Sequence, residues 1–349
     1  MSHLTFVEAG VVGLLQGITE LFPVSSLGHA VLIPAIVGGQ WAKDLNVSKA
    51  ESPYLAFIVG LHVATALAMI AFFWRDWIRI IGGFFASLRH VIAPEPGTRR
   101  FEPQGTDQTL AWMIIIATIP VGIAGLALEH TFRTVFSKPL LTSAFLFVNG
   151  LILLGGEARR RRGAAAEALQ VAADHRLVAE RQTASVAAGG PGAIAGGRHS
   201  SGQRALKQEQ AGLAVAADRR LTGLGFLNAL YLGALQILAL MPGISRDGTV
   251  MVGGMFRGLT RQDAARFSFL LSAPVIFAAG VLKIKDVTGP LGDGIRGQVL
   301  FGSVLSFVGA YLALRFLVSY LSKSTRTLTP FAIYCLAAGA GAFIYLAVR

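Results

Sequence analysis

The sequence predicts an all-α polytopic membrane protein: six transmembrane helices plus two re-entrant helical hairpins, arranged as an inverted repeat. Three observations predict it. Of 349 residues, 53% are hydrophobic and only 14% charged, with a mean hydropathy of +0.59; a soluble enzyme does not have that balance. Six apolar runs are long enough to cross about 30 Å of hydrocarbon. Two further runs are too short and are broken by polar, Pro-containing stretches, at a depth where each polar group is costly unless it is paired or wet.

Taken in order, residues 1–156 read as a first repeat. Its re-entrant element is 4–38: an apolar arm at 4–15, a break at Pro23 and a second short arm at 27–38. Irregular backbone at that depth is tolerated only against protein or water. Spans follow at 54–74, 110–128 and 139–156. His62 lies inside the first span, where a helix-packing histidine is the plainer reading. Between the first two spans, 75–93 alternates Arg75, Arg79 and Arg89 with Trp77, Ile80, Phe84 and Phe85, the pattern of an interfacial amphipathic helix.

Residues 157–221 change character. Arg159 to Arg162 open a tract of Ala, Gly, Arg and Gln with no aromatic residue, which reads as a flexible cytoplasmic insert. The net charge of +12 therefore points to basic cytoplasmic loops and not to nucleic acid, which stacks on aromatics. Residues 222–349 read as the second repeat, with a re-entrant element at 222–257 broken at Pro242-Gly243 and spans at 266–284, 297–320 and 328–348. One re-entrant element plus three spans, twice, forces the second half to enter from the opposite face, as in many inverted-repeat proteins. The halves share Gln16, Pro23 and Ser26 with Gln236, Pro242 and Ser245 at near-equal offsets.

The single cysteine, Cys335, allows no internal disulfide. No basic n-region precedes the first apolar run, and Glu8, Gln16 and Glu20 interrupt it, so it does not read as a cleaved signal. Arg75, Arg79, Arg89, Arg99, Arg100, the 159–162 cluster, Arg219, Arg220, Arg257, Arg261, Arg266, Lys323 and Arg326 fall on one face. Far fewer Lys and Arg fall on the other, so the first face is expected in the cytoplasm, with both termini outside.

The chemistry concentrates in two stretches, Gln16-Gly-Ile-Thr-Glu-Leu-Phe-Pro-Val-Ser-Ser-Leu-Gly-His29 and Pro242-Gly-Ile-Ser-Arg-Asp-Gly-Thr249. Gln16 and Glu20 share a helix face. Ser25, Ser26 and His29 lie on the return limb. Gly243, Ser245, Arg246, Asp247 and Thr249 surround a turn into a helix, whose first N–H groups and positive dipole end suit a phosphate. Arg246 adds a guanidinium fork. Together they read as a seat for a phosphorylated headgroup, with Glu20 and His29 fit for acid–base work or metal binding and a serine as a possible nucleophile. The bland alternative is polar helix packing, with Arg246 paired to Glu20.

These two motifs, with the following Phe267-Ser-Phe-Leu-Leu-Ser-Ala-Pro274, resemble the undecaprenyl pyrophosphate phosphatase family, the BacA type associated with bacitracin resistance. The resemblance covers most of the chain outside 157–221. It implies an inner-membrane hydrolase of the bacterial cell-wall cycle, acting on a polyprenyl pyrophosphate from the periplasmic side and releasing phosphate. It implies Glu20, Ser26, His29 and Arg246 as catalytic groups, and Gln16, Ser25, Gly243, Ser245, Arg246, Asp247 and Thr249 around the substrate. A divalent cation, Mg²⁺ or Ca²⁺, is expected on Glu20 and Asp247. Asp247 stands where the family usually has Ser. Its carboxylate either restores a second metal ligand or caps the helix. Attack is by Ser26 activated by His29, or by water activated by Glu20 or His29. A lipid-phosphate flippase without hydrolysis, a purely structural scaffold and a homodimer remain open.

Overall fold

The computed structural model describes residues 4–45, 53–93, 100–131, 138–161, 216–323 and 325–348, and among them every regular element is helical. In chain order these are α1 (Phe6–Leu21), α2 (Ser26–Val37), α3 (Gly39–Asp44), α4 (Pro53–Phe72), α5 (Trp74–Ile92), α6 (Thr106–Thr131), α7 (Pro139–Arg161) and α8 (Gly225–Leu235). A 3₁₀ turn (Gln236–Leu240) follows, then α9 (Arg246–Phe256), α10 (Arg261–Leu282), α11 (Ile284–Thr288), α12 (Arg296–Leu321) and α13 (Thr329–Val348).

Five of these helices (α6, α7, α10, α12 and α13) are long and apolar enough to cross a membrane. Two bent pairs raise the number to seven if each is one span. The chain is thus a multi-pass, all-helical membrane protein among its described residues. One bend, of 85°, separates α4 from α5. The turn follows from sequence: α4 is uniformly apolar, whereas α5 carries its charges on one side, and such a helix settles across the end of the bundle and not through it.

The arms of the first polar element are well made as helices. Thr5 and Glu8 form a reciprocal capping box at the start of α1. Pro23 then removes a donor, α1 ends at Leu21 and α2 restarts at Ser26. Small residues let α1 lie directly on α12. A Cβ at Gly13 or Gly17 would run into the backbone of Gly302 or Ser306 respectively. The two helices run parallel, with Phe6 against Phe301 at one end and Phe22 against Phe316 at the other.

The helix pairs recur in matching form. α1 packs on α12 and α8 on α6; α4 meets α12 and α10 meets α6; α4 meets α10, and α7 meets α13. α2 and α9 lie between these, both against α7.

The stretch 157–221 is corrected at its ends. Residues 157–161 continue α7, and Ala216–Thr222 is helical. Both ends are pinned by ion pairs. Glu157, buried, accepts from Arg261 at 2.6 and 2.8 Å and from the Leu328 amide at 2.8 Å. Asp218, also buried, pairs with Arg79 and Arg266, which also share Asp76. Arg220 pairs with Asp263 at 2.7 Å. The sequence shows only a basic, core-poor tract there, because every one of these partners is remote in the chain. The expected flexible insert otherwise falls on 162–215, outside the described residues.

Candidate active site

Two helix starts face each other at the centre of the bundle. α2 is capped by Ser25, whose Oγ accepts from the Gly28 amide at 3.2 Å. α9 is capped by Ser245, whose Oγ accepts from the Gly248 amide at 3.1 Å. In both, the amide of the residue after that glycine donates to the cap carbonyl. The structural register therefore pairs Ser25 with Ser245, one residue off the Ser26–Ser245 pairing read from sequence. With that shift, Ser26 and Arg246 occupy the same place, the first helical residue of each limb.

The limbs interlock. Ser25 Oγ also accepts from the Gly243 amide at 3.1 Å. Ser25 has φ +67°, a region that a β-carbon disfavours, and such strain persists where surroundings over-determine it. Gly243 has φ +109°, and a Cβ there would lie 2.5 Å from the Thr142 carbonyl oxygen, so only glycine fits. Neither cap hydroxyl donates to an acceptor among the described residues; both only accept. The first two amides of each helix, Ser26 and Leu27 on α2 and Arg246 and Asp247 on α9, donate to no acceptor among the described residues. Two positive helix ends, linked through Ser25 Oγ and the Gly243 amide, thus lie close together with free N–H groups.

Glu20 sits between these ends. Its Oε1 accepts from Arg246 Nη2 at 2.8 Å. Its Oε2 accepts from Gln16 Nε2 at 2.8 Å and from the Ser26 hydroxyl, and His62 Nε2 lies 3.6 Å away. The Gln16–Glu20 pairing follows from their four-residue spacing on α1. Contact with Ser26 comes from the fold-back of the chain at Pro23, and contact with Arg246 exists only because the two breaks meet. A narrow crevice beside Gln16, Ser26 and His29, about 10 Å³, is of the order of one water.

The structure brings together Gln16, Glu20, Ser25, Ser26, Gly243, Ser245 and Arg246, and it turns three expected site groups elsewhere. His29 does not touch Ser26. Its Nδ1 bonds the Ser25 carbonyl at 2.7 Å and its Nε2 the Tyr334 hydroxyl at 2.6 Å. Ser26 is three residues earlier on α2 and faces Glu20 instead, so activation of Ser26 by His29 is not the arrangement found. Thr249 donates back to the Arg246 carbonyl at 2.9 Å. Asp247 lies one residue past Arg246, about 100° around the helix, and faces α10. Its Oδ1 accepts from Ser268 at 2.6 Å and Ser272 at 2.7 Å. Both of its described hydrogen bonds therefore go to α10 and none to Glu20 or its partners, and Ser245, not Asp247, provides the cap.

Three residues were missed. His62 is at the carboxylate and not simply packed: its Nδ1 bonds the Ile58 carbonyl at 2.8 Å, and its Nε2 is 3.3 Å from Gln16 Nε2. Asn149, fully buried, spans both breaks: its Nδ2 donates to the Pro23 carbonyl and its Oδ1 accepts from the Ser245 amide, each at 2.9 Å. Tyr334 holds His29. The available signal was polarity inside an apolar run, which marks a residue without naming its partner.

Among the described residues no group of three or more His, Cys, Asp or Glu comes together. The protein offers a cation the Glu20 carboxylate and the Gln16 Oε1, which accepts from no protein donor. That donor set fits a hard cation that takes its remaining oxygens from phosphate and water.

Known proteins are similar to this chain over nearly its whole length. The undecaprenyl-diphosphatase of Mycolicibacterium paratuberculosis is 53% identical over 348 residues, 100% of this chain and 99% of the relative. Undecaprenyl-diphosphatase 2 of Frankia alni is 50% identical, covering 97% of each chain. Undecaprenyl-diphosphatase of Granulibacter bethesdensis is 34% identical, covering 99% of this chain and 98% of the relative. The family described as bacitracin resistance protein BacA matches residues 9–189 and 198–341. With that model matching most of the chain and relatives of 34–53% identity covering nearly all of it, the chain belongs to the BacA bacitracin resistance protein family.

Proposed function

We propose that the protein hydrolyses undecaprenyl diphosphate to the monophosphate and inorganic phosphate, recycling a carrier lipid of cell-wall synthesis. The observation that carries this is the Glu20 carboxylate, held between the first residues of two facing helix starts, Ser26 and Arg246. The four unused amides and the Arg246 fork hold the diphosphate. Glu20 takes the Ser26 proton as Ser26 Oγ attacks the terminal phosphorus. The bond from that phosphorus to the bridging oxygen breaks, and the lipid monophosphate leaves. Water then attacks that phosphorus, the bond from phosphorus to Ser26 Oγ breaks, Glu20 returns its proton to Ser26 Oγ, and the proton lost by the water leaves to solvent as phosphate is released. A divalent cation held by Glu20 and Gln16 would neutralise phosphate charge.

The matching helix contacts support six spans (α4, α6, α7, α10, α12 and α13) around two re-entrant elements, as an inverted repeat of 1–156 and 222–349. The Lys and Arg distribution supports placement in the bacterial inner membrane with the start of α1 and the end of α13 outside, and with substrate entering from the periplasmic leaflet. Carriage of a lipid phosphate without hydrolysis has no need of a serine hydroxyl on a buried carboxylate. The test is phosphate release by detergent-purified protein given a polyprenyl diphosphate, with and without chelator. Glu20→Gln and Ser26→Ala are expected to lose about 10²–10⁴-fold. A folded Ser26→Ala retaining a near-native rate excludes the serine as nucleophile, and a folded Glu20→Gln doing so overturns the whole reading.

A further inference from the structure

A second group of cations, apart from Glu20 and its partners, lies toward the C-terminal end of α12. A cavity of about 420 Å³ there is lined by Leu312, Phe316 and Tyr320 on one side and by Arg315, Lys323 and Arg326 on the other. Leu312, Phe316 and Tyr320 recur every four residues, as an apolar ridge along the helix. Arg315 and Lys323, eight apart with Ser319 between them, form a parallel polar ridge. Arg326 folds back over the Tyr320 ring at 5.3 Å.

Charge is the decisive feature. Arg79, Arg220, Arg246, Arg261, Arg266 and Arg296 each have a carboxylate partner. Among the described residues Arg315, Lys323 and Arg326 have none, and no acidic side chain lines the cavity. Arg315 is six residues inside the end of a candidate span, about 9 Å by helical rise. Its neighbours Leu312 and Phe316 are 58% and 53% exposed, so this face meets lipid. A cation at that depth extends toward the interface and is stabilised by an anion there.

We propose that this groove binds an anionic glycerophospholipid. The headgroup phosphate lies among Arg315, Lys323 and Arg326, and an acyl chain lies along Leu312, Phe316 and Tyr320. Three cations around one monoanionic headgroup give a strong preference over a zwitterion. The occupant also touches the site's surroundings, because Phe316 and Phe331 both pack on Phe22, directly after the helix that carries Glu20. The inference needs only a membrane-spanning chain and is independent of the hydrolytic reading.

The test is native mass spectrometry of the detergent-purified full chain, incubated with equimolar phosphatidylglycerol and phosphatidylcholine of matched acyl chains. Wild type should retain phosphatidylglycerol roughly tenfold more, and millimolar inorganic phosphate should not displace it. The triple variant Arg315→Gln, Lys323→Gln, Arg326→Gln should lose the preference. So should Ser319→Trp, which fills the groove with its charges intact. Lys283→Gln with Lys285→Gln, at the other end of the bundle, should keep it. Equal retention of the two lipids by wild type overturns the proposal without recourse to any variant. So does an unchanged preference in a folded triple variant or in folded Ser319→Trp. Displacement by inorganic phosphate alone reduces the groove to a bare anion seat and also overturns it, as does preferential capture of an isoprenyl monophosphate offered in competition.

Discussion

Glu20 shows how one buried charge is made useful. A carboxylate in a membrane bundle is costly alone, yet here Arg246, Gln16 and Ser26 satisfy it and each is itself a phosphate-binding or reactive type. The bland expectation that Arg246 merely pairs with Glu20 is geometrically true and does not compete with function, since only one guanidinium nitrogen is used. The remaining N–H groups are those a diphosphate would take. Arg246→Lys keeps charge and loses that second contact. It should fold, by thermal melt in detergent, while kcat/KM for phosphate release falls at least tenfold, about 1.4 kcal/mol of lost transition-state binding. A near-native rate would show that charge alone suffices. Gln16, Glu20 and Arg246 were legible in sequence because a strongly polar or ionisable group at bilayer depth stands out. His62 was legible as a residue but not as a neighbour of Glu20, because it approaches from a different helix.

The two capped breaks are held at a fixed separation by Asn149, which lies on neither. Its amide joins the Pro23 carbonyl to the Ser245 amide. Asn149→Ala leaves the Ser245 amide buried without a partner and the Pro23 carbonyl with only the Cys335 thiol at 3.8 Å, at a cost of about 1–3 kcal/mol in stability, and loosens one helix start from the other. The expected signature is a fall in kcat larger than any rise in KM, together with a lower melting temperature. A lower melt with unchanged kcat would mean that Asn149 is only structural. Asp247 plays a different part, tying α9 to α10 through Ser268 and Ser272. Asp247→Ala orphans two buried hydroxyls and should lower the melt by a similar free energy, while leaving the cation concentration for half-maximal activity where it was. A shift in that concentration would return Asp247 to the metal. The one-residue error in aligning the two limbs has a local cause: Ser25 and Ser26 are adjacent, and only the cap hydrogen bonds distinguish them.

At the scale of the molecule, α1 is placed by α12 and not by its own neighbours in sequence. Glycines at 13 and 17 allow backbone contact with Gly302 and Ser306. Gly17→Val has no room and should push the helices apart. Overpacking of this kind costs about 1–3 kcal/mol, and the displacement carries Gln16 and Glu20 with it. Activity should therefore fall even in detergent conditions where the variant stays monodisperse, while Gly82→Val, which meets open space on α5, should melt and turn over as wild type. Equal behaviour of the two variants would show that the close approach is not needed.

Hydrophobicity, proline breaks and polar residues in apolar runs are local properties, and from them the sequence determined an all-helical, multi-pass membrane chain and two polar stretches that break it. Basic residues at the span ends likewise set the expected orientation. Direction and pairing are not local. That Ser26 faces Glu20 while His29 faces Tyr334, that Asp247 turns to α10, and that Asn149 and His62 belong to the site were decided by which helices lie against which. Each of those contacts joins residues from different helices, or selects one among near-equivalent neighbours on the same helix. Only the packed bundle, with its two helix starts brought nose to nose, makes the selection.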